Sequence, residues 1–133
     1  MRPPRLTRAP RFWLAGFLLW LALLWVFSSL SLPSSAAYLP SFKHFDKLEH
    51  FAYFFCSGFL LTGYLFRSKP EEPDWRAILI RVVLVISLIG WLDEWHQTFT
   101  PGRSGNDPYD WLTDVLGASA GAFAFKRIHH AFQ

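Results

Sequence analysis

The feature that most constrains the fold is a run of 21 residues without a charge, FWLAGFLLWLALLWVFSSLSL at 12–32. About 20 apolar residues of helix cross a hydrocarbon core of about 30 Å, so this run predicts a membrane-spanning helix. Four arginines precede it, and a secretory signal peptide also begins with a basic segment. Signal peptides carry an apolar stretch of only about 7 to 15 residues. We therefore expect a retained anchor, although Ser35-Ala36-Ala37 resembles a cleavage site.

Three further apolar segments follow the first one. Together the four segments predict helices at about 12–32, 46–66, 75–97 and 108–128, separated by short connectors that contain Pro or Gly. Asp46 and Asp107 are candidate N-caps, and Pro108 suits a first helical position. The expected fold class is all-α: an integral membrane bundle of four transmembrane helices, formed by a single domain over residues 1–133.

The basic residues are distributed unevenly between the two ends of such a bundle. Cytoplasmic loops of membrane proteins carry an excess of Lys and Arg, so the richer end should be cytoplasmic, together with both termini. This predicts a multi-pass protein of the bacterial cytoplasmic membrane. Because the basic residues flank apolar runs and form no single basic face, we expect no nucleic-acid partner. The richer end holds ten of the 13 Lys and Arg residues: Arg2, Arg5, Arg8, Arg11, Arg67, Lys69, Arg76, Arg81, Lys126 and Arg127, which leaves Lys43, Lys47 and Arg103 outside.

Most of the acidic residues fall at the opposite, outer end, where helix two begins, helix three ends and helix four begins. Helical spacing places Asp46 and His50 on one face, and Asp93 and Gln97 on another. The outer end holds Asp46, Glu49, Asp93, Glu94, Asp107, Asp110 and Asp114, together with His44, His50 and His96. The sequence therefore predicts one polar site built from three helices.

Helix four also carries a stripe of small residues. Gly117 and Gly121 form a G-x-x-x-G pattern, which lets membrane helices approach closely. Asp110 and Asp114 lie on the same stripe, so they should face the interior of the bundle. A carboxylate that faced lipid at this depth would be costly, and we expect Asp114 to be neutral, paired or hydrated.

Four short motifs occur in order along the chain: Asp46-Lys47-x-x-His50, Asp93-Glu94-x-x-Gln97, Pro101-Gly102-Arg103 and Asp110-x-x-x-Asp114-x-x-Gly117-x-x-x-Gly121. Taken together they resemble the VanZ-like family of small bacterial membrane proteins, over roughly residues 40–125. The resemblance implies four membrane helices and a link to the bacterial envelope, since the founding member is associated with resistance to the glycopeptide teicoplanin. Asp114 stands where the family pattern often has Asn, which makes this site more acidic.

The residues allow several functions for this site. Arg103 offers a forked donor for phosphate or carboxylate, and Lys47 is a second cation, so we expect recognition of an anionic envelope molecule such as a glycopeptide, a cell-wall precursor or a lipid head group. Asp46, Gln97 and Asp114 complete the candidate binding residues. An enzyme acting on a phosphate-bearing lipid would use Glu94 or Asp110 as general base and His50 as acid–base partner.

Two further alternatives remain. The same side chains would serve a purely structural subunit if they paired with one another and locked three helices together. Carboxylates and imidazoles are also suitable metal ligands. However, the sequence contains no tight metal-binding motif, so we predict no metal and no cofactor.

Overall fold

The computed structural model describes residues 5–30 and 45–132, and within these ranges the chain is helical, without a strand. The four α-helices are α1 (Pro10–Ser29), α2 (Phe45–Ser68), α3 (Trp75–Gln97) and α4 (Pro108–Ile128). Short 3-10 helices cover Arg5–Arg8 and His129–Phe132. The prediction of an all-helical fold with four helices is confirmed. Arg2, Lys43, His44 and the cleavage-like segment 35–37 lie outside the described residues.

The helix boundaries follow from local chemistry. Asp74 caps α3 by accepting a hydrogen bond from the Ala77 amide at 3.0 Å. Asp107 caps α4 in the same way through the Tyr109 amide at 2.8 Å, and Pro108 follows as the first helical residue. Such side-chain caps satisfy amides that have no partner inside the helix.

The first two helices have other boundaries than the sequence predicted, and the end of α1 and the start of α2 matter most. α1 ends at Ser29 because the next residue, Leu30, has an extended backbone, so the helix stops before the expected residue 32. Hydropathy alone could not reveal that end, since residues 30–32 are as free of charge as the helix itself. Asp46 lies inside the first turn of α2, which begins at Phe45. It is therefore not the N-cap residue.

The helices run up and down, so that each connector joins neighbouring ends. The ends of α1 and α3 meet where Thr100 donates to the Ser28 carbonyl at 3.4 Å. The starts of α2 and α4 meet at the same end of the bundle, through a 2.6 Å contact between Lys47 and Asp110. The last turns of α1 and α3 and the first turns of α2 and α4 therefore lie at the same end of the bundle.

The contact between α2 and α4 is the most extensive in the bundle. Gly117 and Gly121 are both buried in it. A Cβ on Gly117 would lie 2.5 Å from the carbonyl oxygen of Phe51, and a Cβ on Gly121 would overlap the carbonyl oxygen of Phe55. The two backbones are thus closer together than any side chain at these positions would allow.

The opposite end of the bundle is closed by aromatic side chains and one arginine. Trp13 and Phe125 pack edge to face, with ring centroids 5.2 Å apart. Arg67 is only 9% exposed; its Nε donates to the Thr7 carbonyl at 3.1 Å, and its Nη2 donates to the Phe132 carbonyl. One guanidinium therefore holds the two ends of the described chain together.

Two of the helices, α1 and α3, are long and apolar enough to cross a membrane. Only 22% of the most apolar stretch of each is buried inside the protein. The core helix of a soluble protein is mostly buried, so the apolar surface of these helices faces outward. This suggests a membrane protein.

Candidate functional site

The candidate site lies at the end of the bundle where α1 and α3 finish and α2 and α4 begin. We call it the polar end, because it gathers most of the ionisable side chains that the sequence singled out. Several of them are buried despite their charge or polarity. The polar end consists of Lys47, His50, Asp93, Glu94, Gln97, Arg103, Asp107, Asp110 and Asp114.

Lys47 joins the first turns of α2 and α4. Its Nζ lies 2.6 Å from Asp110, 2.8 Å from Asp107 and 3.1 Å from Asp46. The hydrogen bond from Lys47 holds the pKa of the Asp107 carboxyl below its usual range. The sequence analysis predicted that this ammonium group binds an anionic ligand. In the structure it contacts three carboxylates of the protein itself.

His50 and Asp114 form a buried pair between α2 and α4. The imidazole Nδ1 lies 2.8 Å from Asp114 Oδ1, and Asp114 is fully buried. The contact leaves the second ring nitrogen, Nε2, on the side of Glu94. Asp114 also needs a glycine opposite it, since a Cβ on Gly90 would lie 2.7 Å from Asp114 Oδ2.

Glu94 connects the end of α3 with the start of α4. Its Oε2 accepts a hydrogen bond from the Asp107 amide at 2.8 Å, and its backbone carbonyl accepts one from the Asn106 amide at 3.3 Å. The loop reaches this position through left-handed backbone at Gly102 and Asn106, with φ values of 81° and 63°. The other carboxylate oxygen, Oε1, has no hydrogen-bond partner among residues 5–30 and 45–132. It lies 4.0 Å from His50 Nε2.

The remaining predicted site residues are spread more widely. Gln97 donates to Asp93 at 3.0 Å, as their spacing on α3 suggested. Arg103 Nη2 donates to the Phe27 carbonyl at 3.1 Å, so Arg103 ties the loop before α4 to α1. Asp46 has a side chain that is 59% exposed and contacts Lys47. It does not share the interior position of His50.

The geometry brings three potential metal ligands together. One ligand atom each from His50, Glu94 and Asp110 lies within 4.8 Å of the other two. These residues come from α2, α3 and α4, so no local sequence motif would have revealed the group.

Comparison with known proteins matches the whole bundle. The family model described as VanZ/LLP1 matches residues 12–129. The chain belongs to the VanZ/LLP1 family. No match was found among curated proteins or among solved structures. All residues of the polar end lie inside the matched range.

Two of the cavities beside the polar end include His50 or Glu94 in their lining. A groove of about 300 Å³ is open to the side of the bundle and has Trp91 and Trp111 as its apolar walls. Glu94 and Asp107 line the same groove, together with Asn106 and Pro108. A second cavity of only about 30 Å³ lies between α1, α2 and α3 and includes His50 and Arg103 in its lining. Only the groove is large enough for part of an organic molecule.

Sequence reasoning missed the contacts of two residues at this end of the bundle. Asp107 was grouped with the outer acidic residues and assigned as a helix cap, but not as a binding residue; its carboxylate binds Lys47 and its amide binds Glu94. Its position beside the acidic start of α4 was a usable signal. His96 lies against α1, where it stacks on Trp25 with centroids 3.9 Å apart and contacts Ser29 Oγ at 2.9 Å. Nothing in the sequence indicated which helix would face His96.

Proposed function

We propose that this protein is a multi-pass protein of the bacterial cytoplasmic membrane, with four spans and both termini in the cytoplasm. α1 and α3 have the required length and apolar character. α2 and α4 have 24 and 21 residues, which correspond to about 36 Å and about 32 Å of helix. Because they pack side by side with α1 and α3 in an up-and-down bundle, a membrane that covers two helices would cover all four.

The exposed surface of the bundle supports this proposal. Large apolar side chains are about half exposed along α1 and α3, including Leu18, Leu19, Leu84 and Leu88. Monomeric soluble proteins rarely expose such continuous apolar surface. The basic residues near the aromatic end, among them Lys69 and Arg127, fit the cytoplasmic side of a bilayer.

Single-cysteine labelling tests the topology. The native Cys56 is first replaced by Ser, and one cysteine is then placed at Ser104 in the loop of the polar end or at Glu71 in the opposite loop, both of which are exposed. A membrane-impermeant maleimide should label Ser104→Cys in intact spheroplasts and Glu71→Cys only after lysis. The reverse pattern would refute the orientation, and labelling of both in intact cells would refute the four-span arrangement.

We further propose that the polar end recognises an anionic envelope molecule: a glycopeptide, a cell-wall precursor or a lipid head group. The observation that carries this proposal is the groove between Trp91 and Trp111, which leads from the side of the bundle to the buried carboxylate of Glu94. Indole rings are enriched at the membrane–water interface. A ligand in this groove would therefore sit at the depth of lipid head groups, with its polar part at Glu94. The teicoplanin link of the VanZ-like family agrees with an envelope ligand.

An anionic ligand also needs a positive charge, and the candidates are few. Lys47 is engaged by three carboxylates. Arg103 is partly exposed, and its buried Nε has no acceptor within the described ranges. Arg103 lines the small neighbouring cavity and not the groove. We assign it as the side chain towards which the anionic group of the ligand is directed.

A matched pair of tryptophans tests the groove. Trp91 and Trp95 lie on α3 and are 55% and 52% exposed, but only Trp91 lines the groove. Protein purified with its native lipids is analysed by native mass spectrometry, and teicoplanin susceptibility is measured in cells with equal protein levels. Trp91→Ala and Arg103→Ala should lose the bound molecule and change susceptibility, whereas Trp95→Ala should retain both. Equal behaviour of Trp91→Ala and Trp95→Ala would refute the groove as the binding site.

One observation favours the enzymatic alternative. Asp114 orients His50 through Nδ1, so that Nε2 points towards Glu94, and a histidine held in this way can serve as acid–base partner to Glu94 as general base. Turnover of a labelled phosphate-bearing lipid should then disappear in Glu94→Gln. Turnover that persists in this variant would exclude the role of Glu94 as base.

A further inference from the structure

The buried contact between His50 and Glu94 leaves one carboxylate oxygen without a hydrogen bond from any described residue. Asp114 contacts His50 Nδ1, which leaves the second ring nitrogen, Nε2, on the side of Glu94. Glu94 is 2% exposed, and no described residue donates to its Oε1. A buried carboxylate oxygen without a hydrogen-bond donor is costly, and His50 Nε2 lies 4.0 Å from Glu94 Oε1. A cation between them would satisfy both atoms.

Asp110 supplies a third ligand atom at the same place. The three atoms lie within 4.8 Å of one another. Ligands of a zinc ion lie about 2.0–2.2 Å from the metal, and two of them are therefore at most about 4.4 Å apart. Side-chain rotations that move the ligand atoms by less than about 1 Å would bring them within this distance. The carboxylate of Asp110 has two oxygens, so it can bind an ion and keep its contact with Lys47.

We propose that His50, Glu94 and Asp110 bind a divalent transition-metal ion, with Zn²⁺ as the best match. One imidazole nitrogen and two carboxylate oxygens form a mixed donor set that suits zinc, whereas Mg²⁺ and Ca²⁺ prefer oxygen alone. Asp114 occupies the position typical of an outer carboxylate, which orients a metal-binding histidine through its other nitrogen. Three protein ligands leave a coordination position open for an exogenous group. The sequence predicted no metal because these donors come from three separate helices.

The ion would also offset the repulsion between an anionic ligand and the carboxylates of the polar end. It would place two positive charges beside Glu94, which lines the groove, and would allow a phosphate or carboxylate to bind an otherwise acidic site. In this respect the inference rests on the proposed function, although the ion site itself rests only on the donor atoms.

Zinc binding to the full-length protein in detergent is the test. The protein is stripped with a chelator, reloaded with Zn²⁺ alone, desalted and analysed for metal content, and the dissociation constant is measured against a chromophoric chelator. We expect one zinc ion per chain. His50→Gln and Glu94→Gln should bind at least tenfold more weakly, and Asp114→Asn about 10- to 100-fold more weakly.

Two matched controls separate the site from general effects of the substitutions. Glu71→Gln removes an exposed acid of the opposite loop, and His96→Gln removes a histidine that faces α1. Both should bind zinc like the wild type. Wild-type protein that takes up no zinc at micromolar concentration, or a Glu94→Gln variant with unchanged affinity, would overturn the proposal.

Two further readouts protect the conclusion. If the His50 and Glu94 variants do not fold, Co²⁺ bound to the wild type should still give the visible absorption of a low-symmetry site with nitrogen and oxygen ligands, and the absence of that absorption overturns the site. Trp91→Ala distinguishes the two proposals, because it should lose the envelope molecule and retain zinc. A wild type that binds the envelope molecule but takes up no Zn²⁺ when it is supplied would refute the metal site and leave the proposed binding function unchanged.

Discussion

Replacing Gly117 with alanine should loosen the contact between α2 and α4. The added Cβ would lie 2.5 Å from the Phe51 carbonyl oxygen, and no rotamer change relieves a clash with backbone. One helix must move by about 1 Å to restore ordinary van der Waals contact. Overpacking of this kind costs about 1–3 kcal/mol. The higher helix propensity of alanine offsets about 0.5–1 kcal/mol, so we expect a net loss of stability on the order of 1 kcal/mol.

The same displacement should reach the polar end. Gly117 lies one turn after Asp114 on α4, and Asp114 contacts His50 of α2 at 2.8 Å. An extra separation of about 1 Å would lengthen this contact beyond the usual hydrogen-bond limit of about 3.2 Å. The nitrogen NMR signal of His50 Nδ1, observed with labelled histidine, should therefore lose the shift of a strongly hydrogen-bonded N–H.

Gly16 provides the matched control. A Cβ at Gly16 would lie 3.5 Å from Leu60 Cδ2, which is an ordinary contact. Gly16→Ala should therefore leave stability unchanged or raise it by up to about 1 kcal/mol. Unfolding of both variants in mixed SDS micelles is followed by far-UV circular dichroism. The reasoning is refuted if Gly117→Ala unfolds at the same SDS fraction as Gly16→Ala.

Three further predictions concern single contacts. The pKa of Asp107 is lowered by Lys47, so the ionised carboxylate stabilises the fold above the unfolded pKa of about 3.9. This contribution is lost as the pH falls through the lower pKa of the folded state. Asp107→Asn should therefore lose less stability than the wild type between about pH 5 and pH 2. Arg67→Met removes donors to two backbone carbonyls near the chain ends and should speed limited proteolysis of both termini, unlike Lys69→Met at an exposed position. Trp111→Phe deletes the indole hydrogen bond to a carbonyl of α3 and should cost about 1 kcal/mol in SDS unfolding.

The helices were predictable because their signals are local. The absence of charge over a whole helix length, and Asp107 followed by Pro108, act within a few residues of the elements they define. Spacing also worked inside a single helix, as the contact between Gln97 and Asp93 illustrates. Periodicity does not reveal depth, however. Asp46 lies one turn before His50, yet it sits at the rim with an exposed side chain.

The pairing between helices was not predictable, because it depends on the rotation of each helix about its own axis. The sequence grouped His50, Glu94 and Asp114 at one end of the bundle but gave no reason for Asp114, rather than Glu94, to bind Nδ1 of His50. The partners of Arg67 are backbone carbonyls, and every residue offers the same carbonyl. Side-chain patterns carry no signal for such a contact.

The position of Arg67 makes the chain nearly circular. Its guanidinium group reaches a carbonyl just before α1 and another just after α4, so the two ends of the described chain are neighbours in space. A short linker between them, together with a new opening in the connector between α2 and α3, would produce a permuted chain that begins with α3. Every helix would keep its present neighbours in this arrangement. The order in which the helices leave the ribosome is therefore separable from the way they pack.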